Sequence, residues 1–473
     1  MCSEADPVPY VVAGGGVSLV RGDAVSLPLA DESVDLIVTS PPYFALRSYT
    51  DGGEHYEGQI GSEDTPQAFL EALWAVTAEC RRVLKPSGSM WVNLGDKYSQ
   101  RVATRTSSHQ DGLFPDRPEL KKDWKRDREL GLARMPADNI INRDTGQHVR
   151  EKSLMGLPWR YAIGCIDNLG LILRAEVVWS KPNGLPESVT DRVRRSHEQW
   201  FHFTRELRYF AAVDEVREPH ADTSIARSGR NRFAVDRSQE RVGSPNTVDP
   251  AQACNPLGKL PGSVWTIPSE PLRVPTFVDG APWGTTSVWS DRNGTRRARL
   301  WRYAEDRFAA GLPAVVWECD HFAAFPQEWP RRLILGWSPS GICVECGEGR
   351  RPVADGERSV LSRLSTERSH SGANGQRAQG GYRGEVTREI TGYACACHTP
   401  TAPTRPAVVL DPFGGTGTVA MVARALGRYP VHIDLSRDYL RLARWRVYES
   451  GHAAKSRERT NREAQATLDL GAA

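Results

Sequence analysis

The chain has 473 residues and a formal net charge of +3, so its length suggests more than one domain while its charge is only mildly basic. No uninterrupted apolar run is long enough to span a bilayer and no N-terminal charged and apolar segment reads as a signal peptide, so the expectation is a cytoplasmic protein with no membrane partner. The cysteines are spread too unevenly for a secreted disulfide scaffold.

The first informative element is the apolar run Val34 to Val38, which reads as a buried parallel strand leading into Thr39-Ser40-Pro41-Pro42-Tyr43. Consecutive prolines forbid regular helix or sheet there and leave the Ser40 and Pro41 carbonyls without internal partners. Those oxygens and the Ser40 hydroxyl suit a donor such as an exocyclic amine. Accepting its hydrogens would draw the nitrogen lone pair out of ring conjugation and make the nitrogen nucleophilic. Tyr43 offers an aromatic face for an extruded base. Thr65-Pro66 then reads as a helix cap and first residue, with Phe69, Leu73, Val76, Cys80 and Val83 marking an apolar face. Ser89 to Leu94 reads as a strand, followed by Gly95 and Asp96 at a sheet edge, where Asp96 is expected to serve a turn.

Residues 98–152 interleave Lys121, Lys122, Lys125, Arg126 and Arg128 with Asp123, Asp127 and Glu129, which predicts a solvated insertion, a loop or an exposed helix. Core patterning returns with a helix at Leu157 to Cys165 and a strand at Leu171 to Trp179. Gln199 to Thr204 and Leu207 to Phe210 read as two short strands joined by a turn. Just upstream, Arg192, Arg194, Arg195 and His197 suit solvent as well as they suit phosphate or a displaced base. From 214 to 318 the core is interrupted by polar, arginine-rich sequence around one core-like piece, Gly262 to Ile267. Here Arg292, Arg296, Arg297 and Arg299 accompany Trp289 and Trp301; arginine forks and aromatic faces suit phosphates and bases, so these are candidate nucleic-acid contacts.

Two close pairs, Cys343 with Cys346 and Cys395 with Cys397, offer the four soft ligands of a structural zinc site within 343–398, with His398 as an alternative to Cys395 or Cys397. Between them, Arg350 to Thr391 is rich in Ser, Gly and Arg and is expected to be a flexible excursion. Ala407 to Leu410 reads as a second buried strand, running into Asp411-Pro412-Phe413-Gly414-Gly415-Thr416-Gly417-Thr418. Gly415 and Gly417 permit a tight turn that a ligand can approach, and Thr418 to Arg428 has helical spacing. The next strand, Pro430 to Ile433, ends at Asp434, placed to accept hydrogen bonds from ribose hydroxyls. The pattern is not the three-glycine dinucleotide one, so an adenosine moiety fits better than a pyrophosphate. Residues 451–473 read as a polar tail. Both motifs follow parallel strands and therefore belong to the carboxyl edge of an open sheet, where ligands bind.

With Ser-Pro-Pro-Tyr first and Asp-Pro-Phe-x-Gly-x-Gly-Thr last, the chain resembles the beta group of DNA amino-methyltransferases. Gly22-Asp23, Val83 to Ser89, Trp179 to Asn183 and His321 to Pro326 also resemble that family. The resemblance implies an α/β, Rossmann-like, S-adenosylmethionine-dependent methyltransferase fold, circularly permuted, with an inserted target-recognition region. Residues 1–213 would carry the catalytic part, 214–318 target recognition, and 319–450 the cofactor-binding part. It implies catalytic roles for Ser40, Pro41, Pro42 and Tyr43, and cofactor contacts from Asp23, Asp411, Pro412, Phe413, Gly415, Gly417, Thr418 and Asp434. A terminal antiparallel hairpin is implied too, as is double-stranded DNA as substrate, with a restriction endonuclease acting separately as a potential partner. The family's adenine enzymes usually carry aspartate at the position of Ser40 and its cytosine-N4 enzymes serine, which favours cytosine N4 over adenine N6. Methylation at cytosine C5 would need a nucleophilic cysteine, commonly after a proline, and no cysteine here follows one. Methylation of RNA or of a small molecule, and non-catalytic nucleic-acid binding, are the remaining alternatives.

Overall fold

A computed structural model describes residues 11–14, 16–45, 50–51, 54–55, 59–99, 152–184, 186–220, 255, 257–270, 276–278, 281–283, 309–311, 316–317, 325–358, 386–397 and 402–449. The chain runs through β1 (Val11–Gly14), β2 (Val17–Arg21), β3 (Val34–Thr39), α1 (Pro66–Val83), β4 (Leu84–Leu94), α2 (Leu157–Asp167), β5 (Ile172–Ser180), β6 (His197–Thr204) and β7 (Val264–Thr266). It continues with α3 (Glu328–Trp337), β8 (Ile342–Cys343), β9 (Arg351–Arg358), β10 (Val386–Ala394), β11 (Thr404–Arg405), β12 (Val408–Asp411), α4 (Thr418–Ala425), β13 (Tyr429–Asp434) and α5 (Arg437–Arg444).

Among the described residues, nine strands form one mixed sheet in the order β1-β2-β13-β12-β3-β4-β6-β5-β7. The run β2-β13-β12-β3-β4 is parallel, while β6 pairs antiparallel with both β4 and β5. The late strands β12 and β13 therefore lie between the early strands β2 and β3, which is the permuted, Rossmann-like α/β order.

All six residues of β3 are buried, as expected of a central parallel strand covered on both faces. Alternation sends Leu36 and Val38 to the core under α3, α4 and α5 and Ile37 to the core under α1 and α2; Val34 joins Ile37 because the pairing with β4 shifts register between Val34 and Leu36. α1 starts where its sequence says it should. Thr65 Oγ1 accepts the Ala68 N–H at 3.1 Å, Pro66 fills the first turn, and Phe69, Leu70, Leu73, Val76, Cys80 and Val83 face inward. On the other face Trp329 of α3 stacks between Trp200 of β6 and Trp265 of β7, with ring centroids 4.8 and 4.9 Å away, binding the antiparallel end of the sheet to the helices.

Two expectations are corrected. The antiparallel hairpin exists, but its strands are β5 and β6; Leu207 to Phe210 is not a strand. After Thr204 the chain leaves the sheet, with the Phe210 N–H donating to the Ser87 carbonyl and the Ala212 N–H to the Gly336 carbonyl. The segment expected to be a flexible excursion begins and ends as a ribbon, β9 paired antiparallel with β10 from Arg351↔Ala394 to Arg358↔Val386. The core-like piece around Trp265 adds β7 to the sheet, parallel to β5. Residues 100–151, the arginine run with Arg292, Arg296, Arg297 and Arg299, His321, His398 and the tail from 451 lie outside the described residues.

Candidate active site

The carboxyl ends of β3 and β12 are neighbours, with Val409 opposite Leu36 and Leu410 opposite Ile37. A buried hydrogen bond fixes them together: Thr39 Oγ1 donates to Asp411 Oδ1 at 2.8 Å, across 372 positions of sequence. The same Oδ1 accepts the Phe413 N–H at 3.2 Å, which starts the glycine-rich turn. Burial pushes the Asp411 carboxyl up to about 7, against the pull of the Thr39 hydroxyl and the Phe413 amide.

The turn is held from two sides. Asp434, at the end of β13, accepts the Gly415 N–H on Oδ2 and the Ser436 N–H on Oδ1, both at 2.8 Å. From the opposite side the buried Arg446 donates to the Thr416 carbonyl at 2.9 Å and to the hydroxyls of Thr416 and Thr418 at 2.7 and 3.0 Å. Gly417 takes φ +79°, and a Cβ there would lie 2.8 Å from the Ala443 Cβ, so both conformation and close helix packing require glycine.

Beside this turn the Ser-Pro-Pro-Tyr segment meets the end of β4 and the start of β6. Ser40 Oγ donates to Asn93 Oδ1 at 3.3 Å, and the Tyr43 hydroxyl, with one proton to share, lies between the same oxygen at 2.8 Å and Glu198 Oε2 at 2.9 Å. Asn93 is oriented by its own Nδ2, which donates to the Gln199 carbonyl at 3.1 Å. Glu198 is ion-paired with Lys181, whose ammonium sits 4.0 Å over the Trp179 ring. The Cδ2–Cε2 edge of the Tyr43 ring packs close against Gly95: a Cβ on Gly95 would be 2.6 Å from Tyr43 Cε2.

A cavity of about 540 Å³ joins the two halves. Ser40, Pro41, Pro42 and Tyr43 line it, as do Asp23, Asp411, Pro412, Phe413, Gly415, Thr418 and Asp434; Gly417 does not, and acts through the turn's shape. Asn93, Trp179, Lys181, Glu198 and Phe325 complete the Ser40 side. Glu198 and Arg446 went unnoticed in the sequence. Glu198 reads there as one charged residue in an alternating strand, and Arg446 as one more arginine near a polar C-terminal stretch.

The other polar residues noted near this edge have partners within the chain. Asp96 accepts the N–H groups of Gly156 and Leu157 at 3.0 and 3.1 Å, capping α2, and pairs with Arg195 at 3.4 Å. Arg192 is ion-paired with Glu187 and lies 3.8 Å over the Tyr98 ring, and Arg194 donates to the Gly184 carbonyl, so these arginines brace their own loop. The four cysteines do converge: the sulfurs of Cys343, Cys346, Cys395 and Cys397 all lie within 4.8 Å of one another.

Comparison with known proteins then decides the family, because a family model described as DNA methylase matches residues 34–344. The chain belongs to the DNA methylase family. This DNA methylase is 37% identical over 254 residues to the type II methyltransferase M.XycI of Xanthomonas campestris pv. cyanopsidis, covering 53% of the chain and 73% of that protein. It is 27% identical over 454 residues to the type II methyltransferase M.SfiI of Streptomyces fimbriatus, covering 90% of each. Among solved structures it aligns with PvuII DNA methyltransferase (cytosine-N4-specific) at 13% identity and a TM-score of 0.43, over 94% of the chain and 92% of that one, a likeness too low to carry argument. Membership agrees with the resemblance to the N4 and N6 amino-methyltransferases of DNA.

Proposed function

We propose that this DNA methyltransferase acts at a specific site in duplex DNA, on the exocyclic N4 of a cytosine turned out of the helix, with S-adenosylmethionine as methyl donor. The observation that carries the reading is the single cavity in which the Thr39–Asp411 hydrogen bond brings the amine-binding segment against the glycine-rich turn.

The residues present fit the cofactor. The turn brings bare backbone to the cavity at Gly415, and the Asp434 carboxylate lines the same cavity at the end of β13, the position from which a carboxylate meets ribose hydroxyls. Bound there, S-adenosylmethionine would supply an electrophilic methyl group. Asp23, Asp434 and Phe413 would hold its adenosine end, and Asp411, almost fully buried in the cavity wall, fixes the turn through the Thr39 hydroxyl and the Phe413 amide.

On the other side the hydrogen-bond polarity is informative. Because Ser40 donates its proton to Asn93, its oxygen lone pairs face the role of acceptor, which is what an amine N–H needs. Tyr43, pinned by Asn93 and Glu198 and backed by Gly95, offers a fixed plane for the base ring. These groups align a nitrogen lone pair and exclude water; positioning of that kind supplies most of the rate in an in-line transfer. A hydroxyl is no general base, so the amine proton leaves to solvent after transfer. Serine at position 40, together with the family resemblance, favours cytosine over adenine. A role in a restriction–modification pair, with the endonuclease on a separate chain, is part of the same proposal. The zinc implied by the cysteine pairs has no part in the reaction, since none of those four cysteines lines the cavity.

Incubation with methyl-labelled cofactor and mixed-sequence duplex DNA, followed by digestion to nucleosides and mass spectrometry, tests the proposal. N4-methylcytosine is expected. N6-methyladenine would overturn the choice of base, and label found only in RNA would overturn the substrate.

A further inference from the structure

We infer that Cys343, Cys346, Cys395 and Cys397 bind one structural zinc ion, which fastens the β9–β10 ribbon to the enzyme at the end of the sheet remote from the reaction. The inference does not depend on which base is methylated.

The donor set is the first argument. Four thiols converge with every sulfur within 4.8 Å of the others, and tetrahedral zinc at about 2.3 Å from each sulfur asks for separations of roughly 3.8 Å. An all-sulfur tetrahedral site selects zinc or iron–sulfur chemistry over hard, oxygen-loving cations. The local backbone has the form of a metal knuckle: the Gly347 N–H donates back to the Cys343 carbonyl at 3.0 Å, the Cys343 N–H to the Glu348 carbonyl at 2.9 Å, and Gly347 turns at φ +72°. Glu345 closes the cluster on one side, its carboxylate accepting from the Cys397 thiol at 3.4 Å.

The second argument is what the ribbon lacks. None of its residues with described side chains is buried, and Val353 and Tyr393 are each 43% exposed. A two-stranded hairpin without a core of its own is marginal in water. Among the described residues its contacts with the rest of the chain are made at the edge: Tyr393 donates to Glu215 at 2.6 Å, Arg350 to the Ala402 carbonyl at 2.7 Å, and Arg351 lies over the Phe210 ring. A metal joining the start of the ribbon to its end supplies the missing closure.

Position assigns the role. Cys343 is the buried end of β8, which pairs with β11 just before β12 begins at Val408; the glycine-rich turn leaves the other end of β12 at Asp411. The ion therefore sits one strand length from the chemistry and offers no open coordination position, the mark of a structural site.

The test uses the full chain purified without chelators from metal-replete cells, with elemental analysis beside intact mass measurement. About one equivalent of zinc is expected, falling below about a tenth in a Cys395→Ser/Cys397→Ser variant. Cobalt exchanged into the wild-type protein should give thiolate-to-cobalt charge-transfer and tetrahedral ligand-field bands, a readout that survives if the variant does not fold. Zinc-stripped wild-type protein should be cut in the ribbon at least tenfold faster by a protease while its methyl transfer per folded molecule stays within twofold. Substoichiometric zinc, iron with acid-labile sulfide, or disulfides among these cysteines would overturn the site. Loss of methyl transfer on stripping, with the fold intact, would overturn its remoteness. Zinc-replete protein that methylates no nucleic acid would leave this inference standing and overturn the proposed reaction instead.

Discussion

Gly95→Ala places one methyl group against the ring proposed to support the target base. The added Cβ would stand 2.6 Å from Tyr43 Cε2 and 2.9 Å from Cδ2, and ordinary contact begins near 3.4 Å, so the ring must retreat by roughly 0.8 Å. It cannot do so freely, because the Tyr43 hydroxyl is held by Asn93 at 2.8 Å and Glu198 at 2.9 Å. Moving the ring stretches both bonds toward the limit of useful geometry; losing them costs on the order of 1–3 kcal/mol, and a base misplaced by nearly 1 Å can lose about a hundredfold in rate. The prediction is a fall in kcat of roughly 10- to 100-fold. Cofactor affinity should stay within about twofold, since Gly95 lies outside the cavity lining at the glycine-rich turn. Single-turnover methylation with saturating enzyme, paired with calorimetry of cofactor binding, separates the two. A variant that methylates at the wild-type rate would show that Tyr43 does not position the base.

The two halves of the site should respond differently to truncation. Ser40→Ala is expected to lower turnover by about two orders of magnitude with little change in cofactor affinity, whereas Asp434→Ala, which also strands the Gly415 and Ser436 amides, should weaken cofactor binding at least tenfold; the reverse pattern would exchange the assigned roles. Glu198→Gln keeps an acceptor for Tyr43 but weakens the Lys181 pair, so turnover should drop about tenfold with the fold's thermal stability nearly unchanged, as rates and a melting curve would record. Asp411 predicts a pH effect. Burial holds its carboxyl at about 7, above the ordinary carboxylate value of 3.8, so the folded state keeps the proton longer and stability falls as pH rises from about 4 to about 7. Asp411→Asn, neutral throughout, should gain on the wild type across that window by on the order of 3–4 kcal/mol, measured by denaturant unfolding; parallel profiles would mean the carboxylate is already ionised in the native state.

The motif-bearing strands were legible because central parallel strands are nearly all apolar, and Val34 to Val38 and Val408 to Leu410 are such runs. α1 was legible for a different reason: Thr65, Pro66 and the spacing of Phe69, Leu73 and Val76 state both its start and its buried face. The pairing of β6 was not legible, since strand propensity in Leu207 to Phe210 competes with a distant partner, β5, that only the assembled sheet supplies. The ribbon was missed because its few apolar residues, such as Val353, Ile390 and Tyr393, are set in a long stretch rich in Ser, Gly and Arg, which sequence patterning reads as disorder. Glu198 and Arg446 were hidden for one shared reason: each acts through contacts far away in sequence, 155 positions to Tyr43 in one case and 30 to Thr416 in the other.

The order of strands also bears on how the enzyme is made. A ribosome delivers β2 and β3 early, yet the two strands that separate them in the finished sheet, β12 and β13, emerge only after residue 407. Until then two apolar strand edges wait unpaired, open to other chains as much as to their own late partner. The Thr39–Asp411 hydrogen bond cannot form before that moment either. A chain that stops short of β12 therefore lacks both the glycine-rich turn and the partner of Thr39, and the site is complete only once the last strands have joined the middle of the sheet.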